Sequence, residues 1–172
     1  KAVWIGAAQF NDEQSFSEIM ENADSALMAA TKQPNGWQFA SELSHIHSNT
    51  AWKERLNQIL DQQYADILIQ PVMNVEKNTP AYCEAFARFK DKGTGNPIPM
   101  SQLIPASERL NLIPEVDKLV VSLVLNKLAK DKRNVAINIA NASLANASFR
   151  QWLLGLLNQN AALCTHLIFE LE

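Results

Sequence analysis

The chain has 172 residues, 47% hydrophobic and 19% charged, with a net charge of −3. Its 18 acidic and 15 basic residues are spread along the sequence, so no basic block marks a nucleic-acid polymer as partner. No apolar run approaches the ~20 residues of a membrane span, and the opening Lys1–Gly6 reads as a strand rather than a signal peptide.

The size suits one medium domain or a domain plus a fragment. Cys83 and Cys164 both lie in apolar runs, as buried reduced thiols do. Both ends fall in strand-like runs and there is no initiating methionine. Domain boundaries belong in exposed linkers, so a piece of a longer chain is expected.

In chain order, Val3–Phe10 reads as a strand, with Gly6 allowing a close approach. Asn11–Glu13 is a turn, and Ser15 or Ser17 could cap the helix that follows. Ile19, Met20, Ala23, Ala26, Leu27 and Ala30 recur at helical spacing. Pro34-Asn35-Gly36 stops that helix, and Trp37–Phe39 is a short edge strand. Ser41–Asn49 is polar and reads as a linker; its His45 and His47 have no second ligand cluster nearby.

Thr50 is a plausible N-cap for a helix ending near Gln63, with Trp52, Leu56, Ile59 and Leu60 as its apolar stripe. Ile67–Val72 is a strand, Asn74–Thr79 a turn and Tyr82–Phe89 a second strand. Lys90–Pro99 is a loop, and a short helix is expected around Glu108–Leu110. Pro114 starts a longer helix, Val135–Ala140 is a strand, Ser148–Asn158 a helix and Leu167–Leu171 a strand. Strands alternating with helices after residue 50 predict a mostly parallel α/β sheet. Four strands in ~120 residues amount to half of a (β/α)₈ barrel, which typically needs ~250. No Gly-rich phosphate loop supports the open doubly wound alternative.

Period-two alternation in Tyr82–Phe89 puts Tyr82, Glu84, Phe86 and Arg88 on one face. A carboxylate and a guanidinium on a buried strand are costly without a purpose. Two purposes fit: a structural ion pair between Glu84 and Arg88, or a site with Glu84 on a metal and Arg88 on a phosphate. Three other strands also carry polar groups where Val or Ile would serve: Gln70, Asn138 and Glu170. Two carboxylates and an amide oxygen are hard ligands, suited to Mg²⁺ or Mn²⁺.

These residues sit in motifs that resemble the first half of an EAL domain, the cyclic-di-GMP phosphodiesterase and receptor module. Gln70-Pro71 resembles the family's Gln-Pro, Glu84-Ala85-Phe86 its Glu-Ala-Leu, and Arg88 its arginine. Leu103–Glu108 is similar to Phe-Ile-Pro-x-Ala-Glu, Asn138-Ile139-Ala140 to Asn-Leu-Ser, and Phe169-Glu170-Leu171 to the start of Glu-(Ile/Leu)-Thr-Glu. Residues 1–40 resemble the tail of a GGDEF domain, through Val3–Ala8, Ala23–Leu27 and Asn35-Gly36. Trp4, Met28 and Thr31 depart from that family's usual serine, tyrosine and lysine, so cyclase activity is not expected.

The resemblance implies a TIM-like (β/α) barrel of EAL type, first half, preceded by the tail of an α+β GGDEF domain. The implied division is 1–40 GGDEF tail, 41–50 linker and 51–172 EAL. It implies hydrolysis of cyclic-di-GMP to pGpG at two Mg²⁺ or Mn²⁺ ions, completed by residues outside this sequence. Glu84, Asn138 and Glu170 would ligate metal, Glu84 as the catalytic residue, and Gln70 and Arg88 would hold substrate. A homodimer through the EAL part, without membrane contact by this segment, and a cytoplasmic place in a larger, possibly inner-membrane, bacterial protein go with it. The alternatives are a LapD-like receptor that binds the nucleotide without hydrolysing it, and a scaffold that works through protein contacts.

Overall fold

A computed structural model describes residues 3–10, 16–40, 49–131 and 133–171. The chain divides into two compact units, Lys1–Glu54 and Arg55–Glu172.

In the first unit, β1 (Ile5–Ala7) and β2 (Trp37–Phe39) run parallel, joined through α1 (Phe16–Ala30). The strand expected over Val3–Phe10 is therefore confined to three residues. Gly6 explains how α1 lies on it: a Cβ there would stand 2.2 Å from the backbone nitrogen of Leu27 and 2.3 Å from the Ala23 carbonyl oxygen. Ala26 and Ala30, two small residues of the helical stripe, are fully buried. Gly36 turns the chain with φ +71°, a left-handed conformation that glycine adopts without strain. Its carbonyl accepts from the Ile5 N–H at 2.9 Å. His45, His47 and Ser15 lie outside the described residues.

The second unit carries a four-stranded sheet in the order β3 (Ala65–Asn74), β4 (Thr79–Phe89), β5 (Val135–Ile139), β6 (Leu167–Leu171). Strands β4, β5 and β6 are parallel, but β3 pairs antiparallel with β4. The sheet is mostly parallel, as expected, and the antiparallel β3–β4 pair has a simple reason. The connection is a short turn, and a parallel partner needs a crossover of a dozen residues or more. Asn78 takes φ +49° in that turn, and the Asn74 side-chain oxygen accepts from the Lys77 N–H at 3.0 Å.

The helices follow in chain order. α2 (Asn49–Gln62) precedes the sheet, with Trp52, Leu56 and Ile59 buried. α3 (Met100–Arg109) is longer than predicted and carries Pro105 inside it. α4 (Ile113–Leu128) has Pro114 in its first turn and buries Val116, Val120, Val121 and Val124. α5 (Asn141–Ala145), α6 (Ala147–Gln159) and α7 (Ala161–Cys164) lie between β5 and β6. Asn146 caps α6, its side-chain oxygen accepting from the Phe149 N–H at 3.0 Å.

One sheet face is the core. Ile67, Cys83, Ala85, Ala87, Phe89, Val135, Ile137 and Ile139 are all buried and all odd-numbered. The even-numbered face of β4, predicted as Tyr82, Glu84, Phe86 and Arg88, is half-buried to exposed. At the edge of the described sheet, Lys127 of α4 donates to the Ile67 carbonyl at 2.6 Å, satisfying a group that β3 has no further strand to pair. Both cysteines are free, Cys83 buried and Cys164 half-buried. No helix among the described residues is long and apolar enough to cross a membrane.

Candidate functional site

The strand register decides which polar groups can meet. Gln70 pairs with Glu84, Glu84 with Ala136, and Ala136 with Ile168, which makes one row across all four strands. Asn138 pairs with Glu170 in the row two residues further along β5 and β6. All these residues share the even-numbered face, because side chains alternate along each strand.

Asn138 and Glu170 are thus direct neighbours, about 4.8 Å apart at the backbone. Glu84 lies one strand and one row from Asn138, a backbone separation of about 8 Å from strand spacing and rise. All three are half-buried. The register brings these predicted ligands to one face, within one row of one another. Among the described residues, no three His, Cys, Asp or Glu side chains are grouped to hold a metal.

Glu84 and Arg88 form no ion pair. Four residues along a strand separate their backbones by about 13 Å, too far for the two side chains to pair as the structural reading required. Arg88 is exposed; its Nη1 donates to the Ala87 carbonyl at 2.9 Å, and its guanidinium carbon stands 5.7 Å from the centre of the Phe86 ring. Its register partner Asp66 accepts instead from Lys90, at 2.6 Å. Gln70 is exposed beside Glu84. Glu172 lies outside the described residues.

Two residues join the site that the sequence motifs did not single out. The Tyr82 hydroxyl donates to Glu170 Oε1 at 3.3 Å, linking β4 to β6. The Glu170 carboxylate, then burial, the hydrogen bond and Glu84 raise the Tyr82 hydroxyl pKa above its ordinary value. That hydroxyl therefore lies within electrostatic reach of both carboxylates. Asp117 of α4 is buried, and its Oδ2 accepts from the Ala140 N–H at 3.0 Å, just beyond the end of β5. It holds the backbone two residues past Asn138. Signals for both were present: Tyr82 shares the face of Glu84, and Asp117 is a carboxylate within the apolar stripe of α4.

Solved structures similar to this chain share its fold. LapD of Vibrio cholerae, an S helix-GGDEF-EAL structure bound to c-di-GMP, is 22% identical with a TM-score of 0.76 over 95% of this chain and 41% of its own. The FimX EAL domain of Pseudomonas aeruginosa, bound to c-di-GMP, is 21% identical with a TM-score of 0.59 over 70% of this chain and 49% of its own. The PaMucR phosphodiesterase in complex with c-di-GMP is 21% identical with a TM-score of 0.58 over 69% and 50%. This chain thus spans half or less of each of these structures. Comparison with curated protein sequences returns no match. The profile of the EAL domain family matches residues 53–172, and on that match the chain belongs to the EAL domain family.

Proposed function

We propose that the even-numbered sheet face binds cyclic-di-GMP and a divalent cation, and that with the rest of its barrel it hydrolyses the nucleotide to pGpG. The observation that carries this reading is the Asn138–Glu170 register pair with Glu84 one row away on the same open face. Two carboxylates and an amide oxygen fit a hard cation such as Mg²⁺ or Mn²⁺, as part of its six oxygen ligands. Glu84, Asn138 and Glu170 would hold it. Bound there, the cation supplies positive charge at the phosphoryl oxygens and acidifies water. Arg88, exposed and without an acidic partner among the described residues, offers a planar fork to a phosphate. Gln70, beside Glu84, offers an amide to the nucleotide.

A LapD-like receptor without hydrolysis is the second reading. It is favoured by the LapD structure, whose match covers 95% of this chain where FimX covers 70%. The same difference supports residues 1–40 as a GGDEF tail ahead of 51–172 as the EAL part, and 41–50 is proposed as the linker between them. Homodimerisation through the EAL part belongs to the same proposal, with sedimentation as its test.

Calorimetry of the full-length protein with cyclic-di-GMP, with and without Mg²⁺, decides between the readings when pGpG is followed by chromatography. Binding with pGpG formed supports the phosphodiesterase. Binding without pGpG leaves the receptor. No binding at all removes both and leaves a protein scaffold.

A further inference from the structure

We propose that Tyr82 is a positioning residue that holds the Glu170 carboxylate for cation binding; the proposal rests on the reading given above for Glu84, Asn138 and Glu170. The Tyr82 hydroxyl donates to Glu170 Oε1 at 3.3 Å from two strands away. The strand between them presents Ala136, one row from Asn138 and in the row of Glu84. Ala136 is 1% exposed, while Glu84, Phe86, Asn138 and Glu170 on the same face are half-buried. A methyl group there leaves the phenol a path to Glu170; a larger side chain would stand in it.

The chemistry of the donor matters. A lysine or arginine on Glu170 would offset the negative charge that attracts a cation. A neutral hydroxyl fixes the orientation of one carboxylate oxygen and leaves the charge in place, as outer-shell partners of metal ligands do. Among the described residues no cation pairs with Glu170. Phenylalanine at position 82 would keep the ring and lose only this bond.

The test is Tyr82→Phe in the full chain, titrated with Mn²⁺ alone while the free ion is followed by electron paramagnetic resonance. Tyr82→Phe is expected to bind Mn²⁺ about tenfold more weakly or worse, with the thermal midpoint of the metal-free protein unchanged. Equal or tighter Mn²⁺ binding by Tyr82→Phe, against a wild type that binds, overturns the positioning role and leaves the cation site standing. A wild type that takes up no Mn²⁺ overturns the cation site itself, and the role of Tyr82 with it.

Discussion

Among the described residues Glu84 accepts no hydrogen bond from a buried group and forms no ion pair with Arg88, so the fold has little need of its charge. Its place beside Gln70 and one row from Asn138 is what distinguishes it. Glu84→Ala is expected to abolish any pGpG formation while the free energy of urea unfolding stays within about 0.5 kcal/mol of wild type, as for most surface substitutions. An unfolded Glu84→Ala would return the residue to a structural role. Asp117 is the opposite case. It is 6% exposed and accepts from the backbone N–H of Ala140. Asp117→Ala strands that N–H and is expected to cost about 1.5–3 kcal/mol in urea unfolding, the range for hydrogen bonds to charged groups. Asp117→Asn keeps an acceptor and should cost less.

The β3–β4 hairpin is closed at one end by charge. The Lys90 ammonium, donating to Asp66 at 2.6 Å, holds the Asp66 carboxyl below its ordinary range. A folded-state pKa below the unfolded one gives stability present above the unfolded value, about 3.9, and lost as pH falls through the folded value. Asp66→Asn removes that dependence. Its urea midpoint is expected to lie below wild type at pH 7 and to converge with it as pH falls through the folded value. A constant gap across that range would show that the pair contributes nothing ionic. At this scale much was legible in the sequence. The alternation in β4 shows in its composition, since Cys83, Ala85, Ala87 and Phe89 are the buried set and Glu84 and Arg88 are not. Pro105 hid the length of α3, because a proline reads as a helix breaker, yet Met100–Arg109 continues through it. The short helices α5 and α7 carry too few turns for a period to show. The row offset between Glu84 and Glu170 was not legible either. Register depends on which strands pair and how, and motif order does not report that.

The whole chain folds as two compact units, and each has a position where packing leaves no slack. In the first it is Gly6, where an added Cβ would meet the α1 backbone at 2.2 Å. Backbone cannot move aside as a flexible side-chain tip can, so Gly6→Ala must push α1 away from β1. In the second unit it is Ile137, fully buried at the centre of β5, where truncation to alanine leaves a cavity. Ile137→Ala is expected to cost about 2–5 kcal/mol. Amide hydrogen exchange on the intact chain separates the two effects, since protection reports local as well as global opening. Gly6→Ala should speed exchange over 16–39 and spare 65–171. Ile137→Ala should speed exchange across β4, β5 and β6 and spare α1. Faster exchange throughout in both variants would mean that the two units open as one, and that the division into two compact parts has no counterpart in stability.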